Sequence, residues 1–277
     1  MSLEAARAQA GVRTVRLSDG VTAYQVHGDR GPWVVLLHGL VTPMYSWDAM
    51  ASALAGAGFR VLRYDQLGRG LSDRPELRYD VALYVRQLRE LTESLGITSA
   101  HYIGWSMGCV ITSRFALEHP ERVDRHVLIA PGLFIEPPMI LRLVGRLPFA
   151  TRILARLVRV FIGLLPANHL AHPERMPEYG ARMQEQTRHP GLGESFASTV
   201  MNYEFGARPE YRQVGAHARP VLLLWGDLDR GTPFANAARV QELYPRAQLI
   251  TFRGAKHAPH VDHAEQANAA VIDFLRR

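Results

Sequence analysis

The pentapeptide Gly104-Trp105-Ser106-Met107-Gly108 places a serine between two glycines, each two residues away. Residues 100–103 form a short apolar, aromatic-rich run typical of a strand, and residues 109–119 have a helical pattern that ends at Pro120. A serine on a sharp strand-to-helix turn presents its hydroxyl at the end of a sheet, and glycines fit where the turn approaches neighbouring backbone. We therefore predict that Ser106 is a nucleophile at a strained turn.

A serine hydroxyl is a weak nucleophile at neutral pH and needs a neighbouring base. His257 follows the last predicted strand, residues 248–252, and Asp229 follows the strand predicted at residues 221–225. A histidine takes the serine proton and returns it to the leaving group, while a carboxylate holds the imidazole in the correct tautomer. The order Ser, Asp, His along the chain is one of the known orders for such a triad.

Other acids and histidines compete for these roles. Asp227 and Asp229 both follow the same strand, and by their position either is a candidate for the acid. His257 comes directly after the loop of the last strand, whereas His260 and His263 lie at or inside the closing helix. We therefore prefer His257 as the base and expect a pocket wall and a surface position for the other two.

The rest of the chain alternates between strand-like and helix-like segments. A hairpin with an Asp19-Gly20 turn opens it. Further strands are predicted at residues 33–37, 60–64, 126–130, 221–225 and 248–252, and helices at 47–57, 80–95, 233–243 and 262–275. This alternation predicts a mostly parallel, doubly wound α/β sheet, whose ligands bind at the carboxyl ends of the strands. Asp262 and Glu265 have the spacing of a capping box for the last helix.

Residues 136–218 interrupt the alternation with helical apolar spacing and no convincing strand. We predict a helical cap there, inserted after the sixth strand, with the core formed by residues 1–135 and 219–277. Arg152, Arg156 and Arg159 share one helical face, for which we favour a solvated surface. The alternative is a lid whose apolar face lines a substrate pocket and touches a membrane surface.

Composition excludes several classes of protein. The chain has 277 residues and a formal charge of +6, and Lys256 is its only lysine, so the basic excess reflects arginine usage. No basic stripe indicates nucleic-acid binding, and no set of side chains has metal-site spacing, so we expect neither partner nor any cofactor. No apolar run predicts a signal peptide or an integral membrane segment, and one cysteine permits no intrachain disulfide. We expect a cytoplasmic protein; a homo-oligomer stays open.

Several motifs together resemble those of α/β-hydrolases with a cap, similar to serine esterases and carbon–carbon bond hydrolases. The resemblance covers residues 15–275. Its motifs are His38-Gly39, Tyr64-Asp65 with Gly68 and Gly70, the pentapeptide around Ser106, Gly226-x-x-Asp229, and His257.

The resemblance implies that Ser106 is the nucleophile, Asp229 the acid and His257 the base. It places the acid three residues after Gly226, which favours Asp229 over Asp227. The N–H groups of Leu40 and Met107 would form the oxyanion hole.

The same resemblance assigns structural roles to His38, Asp65 and the loop glycines. His101 and His126 lie in or beside strands, where satisfied core or surface positions are expected. Lys256 departs from the family pattern, which often has glycine just before the base. We expect this side chain to point to solvent.

The expected activity is hydrolysis of a small to medium hydrophobic carboxylic ester through an acyl-enzyme on Ser106. The alternative is a carbon–carbon bond hydrolase for a vinylogous diketone, or a biosynthetic tailoring enzyme, with the same triad. A ligand receptor on a hydrolase scaffold is a third hypothesis, which the intact triad disfavours. A serine at the turn argues against haloalkane dehalogenase and epoxide hydrolase relatives, which use an aspartate there.

Overall fold

A computed structural model of the chain describes residues 2–135, 165–206, 209–216 and 219–277, together with Arg156, Val158 and Ile162. Most of the arginine-bearing stretch in the first half of the predicted cap lies outside these residues. Of the three arginines predicted to share a face, Arg156 alone is described, and it is exposed.

The centre of the fold is an eight-stranded sheet with the order β1-β2-β4-β3-β5-β6-β7-β8. Its strands are β1 (Arg13–Leu17), β2 (Gly20–His27), β3 (Trp33–Leu37), β4 (Arg60–Tyr64), β5 (Ala100–Trp105), β6 (Val123–Ile129), β7 (Val221–Gly226) and β8 (Gln248–Phe252). β2 pairs antiparallel with β1 and β4, and every other pairing is parallel. This confirms the opening hairpin and the mostly parallel sheet, and the hairpin lies at one edge.

Helices cover the sheet and form part of the segment between β6 and β7. Those whose bounds the structure describes are α1 (Leu3–Ala10), α2 (Asp48–Gly56), α3 (Val81–Ser94), α4 (Met107–Glu118), α5 (Pro177–Glu185), α6 (Leu192–Asn202), α7 (Tyr211–Ala216), α8 (Ala237–Leu243), α9 (Pro259–Asp262) and α10 (Ala264–Arg276). Short 3-10 helices cover Met44–Trp47, Pro120–Arg122, Pro173–Arg175, Gln186–Arg188 and Phe234–Asn236. α3 packs against α4 and α2 against α10. The central strands are apolar and buried because helices cover the sheet.

The closing helix differs from the prediction. It consists of α9 and α10, and the side chain of Asp262 accepts a hydrogen bond from the N–H of Ala171 at 2.8 Å. The residue that precedes α10 is His263, which makes no side-chain cap. The predicted capping box is therefore wrong, because Asp262 binds backbone of the segment between β6 and β7.

That segment is helical where it is described. α5, α6 and α7 lie in it, and its one contact of strand type there is an isolated bridge between Phe134 and Gly206. The boundaries of the cap, residues 136–218, stay a prediction. In the described part of the chain, no helix combines the length and apolar character needed to cross a membrane. The cytoplasmic location likewise stays a prediction.

Candidate active site

Ser106 lies between the end of β5 and the start of α4, with φ 54° and ψ −114°. Positive φ is costly for a residue with a side chain, so this turn is strained. The flanking glycines are needed for space. A Cβ on Gly104 would lie 2.7 Å from the N of Cys109, and one on Gly108 would lie 2.4 Å from the carbonyl oxygen of Leu37.

The structure brings Ser106, His257 and Asp229 into one hydrogen-bonded chain. His257 Nε2 is 2.9 Å from Ser106 Oγ, and His257 Nδ1 is 2.9 Å from Asp229 Oδ2. Because a carboxylate accepts hydrogen bonds, Nδ1 carries the imidazole proton, and Nε2 is free to accept from the serine hydroxyl. All three residues are at most 8% exposed, so bulk water competes little for these bonds.

The Asp229 carboxylate is held by further donors. Oδ1 accepts from the N–H groups of Gly231 at 2.8 Å and Thr232 at 2.9 Å, and Oδ2 accepts from the Thr232 hydroxyl at 2.7 Å. Burial acts to raise the pKa of Asp229, but the interaction with His257 and the bonds from Thr232 outweigh it and lower this pKa. Asp229 is therefore ionised at neutral pH and orients the imidazole.

The competing residues lie elsewhere. Asp227 accepts a hydrogen bond from the N–H of Gly254 at 2.7 Å, on the exposed side of the loop. The His260 ring is buried, with centroids 4.6 Å from Trp47 and 4.8 Å from Trp105. Half-buried His263 packs against Phe252. Hydrogen bonds to Ser106 and Asp229 thus distinguish His257 from the other two histidines.

Trp105 and His169 both lie against His257, and neither was assigned a role from the sequence. Trp105 Nε1 donates to the carbonyl oxygen of His257 at 2.8 Å. The His169 ring lies 5.4 Å from that of His257, with its Nδ1 3.2 Å from the hydroxyl of Tyr179. Burial, reinforced by His257, lowers the pKa of His169 well below its ordinary value, so this imidazole is neutral at neutral pH. The position of Trp105 directly before Ser106 could have indicated its place near the site. No sequence pattern around His169 indicated such a place.

Leu40, a predicted oxyanion residue, belongs to a loop beside Ser106. A Cβ on the preceding Gly39 would lie 3.4 Å from Ser106 Cβ. His38 Nδ1 is 2.7 Å from the carbonyl oxygen of Gly39, and the N–H of Gln66 donates to His38 Nε2 at 2.9 Å. Burial lowers the pKa of His38 to about 3, so a neutral His38 supports the loop, as its expected structural role requires.

Met107, the second predicted oxyanion residue, begins α4 directly after Ser106. The carbonyl oxygen of Ser106 accepts from the N–H of Gly132 at 3.1 Å. The carbonyl oxygen of Met107 accepts from the hydroxyl of Tyr203 at 2.8 Å, and that of Leu40 accepts from Arg69 Nε at 2.5 Å. Arg69 therefore contacts the backbone of Leu40, and Tyr203 contacts the backbone of Met107. Neither side chain was assigned a role from the sequence.

The Asp65 loop also has the expected structural character. Asp65 accepts from the N–H of Met44 at 2.8 Å and of Leu71 at 2.7 Å. Burial raises the pKa of its carboxyl group to about 6. The Asp65 side chain also lies against Gly70, which has φ 48°. A Cβ on Gly70 would lie 2.1 Å from Asp65 Oδ2. This explains the glycine at position 70.

Lys256 does more than point to solvent. Its Nζ donates to the carbonyl oxygen of Ala167 at 2.7 Å, on the segment between β6 and β7.

Cys109 is buried behind the serine turn, and burial raises the pKa of its thiol. Among the residues that the structure describes, no group of three histidine, cysteine or acidic side chains could hold a metal ion. The absence of a cofactor stays a prediction.

Comparisons with known proteins found relatives and solved structures that match nearly the whole chain. A curated 2-hydroxy-6-oxononadienedioate/2-hydroxy-6-oxononatrienedioate hydrolase of Paraburkholderia xenovorans is 29% identical over 285 residues, which cover 94% of each chain. An enol-lactonase from Burkholderia xenovorans superposes with a TM-score of 0.80 at 24% identity, covering 96% of this chain and 100% of that one. A thermophilic esterase from Thermogutta terrifontis gives 0.81 at 21% identity, covering 95% and 98%.

Both structural neighbours share the fold of the chain. A family model described as "alpha/beta hydrolase fold" matches residues 32–264, which include all three members of the hydrogen-bonded chain at Ser106. This chain belongs to the alpha/beta hydrolase fold family.

Proposed function

We propose that this alpha/beta hydrolase cleaves a small to medium hydrophobic carboxylic ester through an acyl-enzyme on Ser106. The observation that carries the proposal is the chain of two 2.9 Å hydrogen bonds from Ser106 through His257 to Asp229. In this proposal Ser106 is the nucleophile, His257 the general base and Asp229 the acid that orients it.

The reaction has two halves. Ser106 Oγ attacks the ester carbonyl carbon while its proton passes to His257 Nε2, and the tetrahedral oxyanion binds the N–H groups of Leu40 and Met107. The protonated imidazole then gives its proton to the departing alkoxide, which leaves an acyl-serine. Water, deprotonated by the same imidazole, releases the carboxylic acid and restores the hydroxyl.

Carbon–carbon bond cleavage of a vinylogous diketone is the second candidate. One relative that favours it is the 2-hydroxy-6-oxononadienedioate/2-hydroxy-6-oxononatrienedioate hydrolase of Paraburkholderia xenovorans, at 29% identity over nearly the whole chain. We place the ester first because the triad is sufficient for it. A carbon leaving group requires an additional proton transfer to carbon, and no described residue is identified with that step.

The proposal includes a cap over the site, formed by residues 136–218. Several described contacts of this segment support it. The His169 ring lies against His257, Gln186 Nε2 donates to the carbonyl oxygen of Val41, and the Tyr203 hydroxyl binds Met107. A cap in this position would exclude water and select the acyl group.

A panel of p-nitrophenyl esters of graded acyl length tests the activity, with wild type and Ser106→Ala side by side. We expect turnover that prefers short to medium acyl chains and falls by at least about a thousandfold in Ser106→Ala. Equal turnover by the two proteins would remove Ser106 from the mechanism.

Two further measurements separate the alternatives. A 2-hydroxy-6-oxo dienedioate, followed by loss of its visible absorbance, tests carbon–carbon cleavage; faster turnover than any ester would reverse our preference. A fluorophosphonate probe tests the receptor hypothesis. We expect labelling of wild type and none of Ser106→Ala, whereas an inert Ser106 would favour a binding protein.

A further inference from the structure

We propose that Arg69 and Tyr203 are positioning residues that fix the two N–H groups of the oxyanion hole in the correct direction relative to Ser106. Both side chains are attached to α6, Arg69 through hydrogen bonds and Tyr203 by following it in the chain. The inference rests on the proposed function, since it takes the N–H groups of Leu40 and Met107 as the oxyanion donors. It adds two side chains that no described hydrogen bond joins to Ser106, Asp229 or His257. Each binds the backbone of one donor residue.

Leu40 is fixed through both of its peptide groups. The peptide that carries the Leu40 N–H has its carbonyl on Gly39, and His38 Nδ1 lies 2.7 Å from that oxygen. The next peptide has its carbonyl on Leu40, and Arg69 Nε donates to it at 2.5 Å. Because both flanking peptides are bonded, rotation about the Leu40 backbone is restrained, and the direction of its N–H is set.

Met107 is held in the same way. The peptide that carries its N–H has its carbonyl on Ser106, which accepts from Gly132 at 3.1 Å. The following carbonyl, on Met107 itself, accepts from the Tyr203 hydroxyl at 2.8 Å. In each donor residue one bond comes from the core, from His38 or Gly132. The other comes from Arg69 or Tyr203, which α6 positions.

α6 connects the two positioning residues. Arg69 donates to the Thr199 hydroxyl at 2.9 Å and to the Ser195 hydroxyl at 3.3 Å, and Tyr203 directly follows α6. The Thr199 hydroxyl gives its own proton to the carbonyl oxygen of Ser195, so it accepts from Arg69 and from Tyr84. This network is buried, which makes each bond costly to leave unmade.

The chemistry of Arg69 suits a positioning role better than binding of a substrate anion. It is fully buried, and in the described structure no carboxylate forms an ion pair with it. Four hydrogen bonds bind its guanidinium to neutral oxygens: those of Leu40, Gly68, Ser195 and Thr199. One N–H remains, too few for the paired bonds that a carboxylate takes from arginine. A lysine could not span Leu40 and α6 with the same fork.

Because the oxyanion forms only in the transition state, misplaced donors should lower kcat and leave KM nearly unchanged. Loss of a whole oxyanion donor costs about a hundredfold to a thousandfold in kcat. Tyr203→Phe shifts a donor without removing it, so we expect a fall of about tenfold. The affinity for a trifluoromethyl ketone, which forms the tetrahedral adduct, should fall by the same factor as kcat/KM.

Tyr244→Phe is the matched control. Tyr244 is also a fully buried tyrosine, and its hydroxyl donates at 2.7 Å to the hydroxyl of buried Ser113 on α4, away from the backbone of Leu40 and Met107. This variant should lose stability as Tyr203→Phe does and keep kcat within twofold of wild type. A Tyr203→Phe protein with unchanged kcat and unchanged ketone affinity would overturn the proposal. So would equal losses of kcat in the two tyrosine variants.

Arg69→Lys provides the second arm. We expect a fall in kcat at least as large as in Tyr203→Phe, with KM within twofold, because Leu40 loses its link to α6. A rise in KM for carboxylate-bearing substrates alone would instead make Arg69 a substrate-binding residue and overturn its positioning role.

Ser106→Ala is measured in parallel. Hydrolysis that survives in it refutes the proposed function, whereas full kcat in Tyr203→Phe with Ser106-dependent hydrolysis refutes only the present inference.

Discussion

The substitution Asp229→Asn should reverse the tautomer of His257 while preserving the shape of the site. Oδ1 of Asp229 accepts two backbone N–H groups, from Gly231 and Thr232, so the amide oxygen of the asparagine must remain there. The amide nitrogen then takes the place of Oδ2 and donates to His257 Nδ1. The imidazole proton moves to Nε2, which lies 2.9 Å from Ser106 Oγ and can no longer accept its proton.

The rest of the site accommodates this change. The Thr232 hydroxyl loses an acceptor at Oδ2 but already lies 3.1 Å from the carbonyl oxygen of Ala130, to which it can donate. The effect should therefore be on catalysis, with little loss of stability. A wrong-tautomer histidine in a serine triad lowers kcat by about ten-thousand-fold, about 5 kcal/mol in activation free energy.

Hydrolysis of p-nitrophenyl butyrate, with kcat and KM measured separately, checks this prediction. Asp227→Asn is the matched control, because Asp227 lies two residues away and bonds only the N–H of Gly254 among the described contacts of its side chain. It should keep kcat within about twofold of wild type. If Asp229→Asn stayed within tenfold of wild type, or if Asp227→Asn were the more damaging change, the assignment of the acid would be refuted.

Two further predictions concern stability. Gly108→Ala should lower the free energy of unfolding by about 3 kcal/mol in urea, since its Cβ would lie 2.4 Å from the carbonyl oxygen of Leu37. Gly56→Ala is the control and should be neutral or stabilising, because its Cβ would have nothing within 4 Å. Similar effects of the two substitutions would contradict the close packing at the serine turn. Burial lowers the pKa of His126 to about 3, so the unfolded chain binds a proton below pH 6.5 that the folded chain rejects, and stability falls with pH from 6.5 toward 3. Between pH 7.5 and pH 5, the free energy of unfolding of His126→Gln should therefore fall by about 2 kcal/mol less than that of wild type. The same pH dependence in both proteins would mean that His126 is protonated in the folded protein.

The sequence predicted the elements that strong local patterns encode. Continuous apolar runs such as residues 33–37 marked the buried strands. The helix predicted at residues 80–95 is α3, and its N-cap is Asp80, whose side chain accepts from the N–H of Leu83. α1 was not predicted, because its alanine-rich sequence has one buried position and no apolar stripe. Asp262 had the right spacing for a local cap, but a backbone N–H brought by the distant Ala171 binds it instead.

The same distinction applies to the candidate site. Ser106, Asp229 and His257 each follow a strand and were identifiable because the ends of parallel strands converge at one edge of a sheet. Thr232, His169 and Tyr203 were not identified. Tyr203 bonds a residue 96 positions earlier, and no local pattern of residue types encodes a contact of that separation. The residues that support the site depend on how the segment between β6 and β7 packs, which its helical periodicity does not determine.

Cys109, the only cysteine of the chain, is buried behind the serine turn, where its Sγ lies 3.1 Å from the carbonyl oxygen of Gly104. With its pKa raised by burial, this thiol forms little of the thiolate that maleimides attack. The native cysteine should therefore react little with maleimides, so a cysteine introduced elsewhere can be labelled selectively. The substitution Glu178→Cys, at an exposed position of α5, should accept a fluorophore without removal of the native thiol, so its emission would report on the surroundings of α5 during turnover.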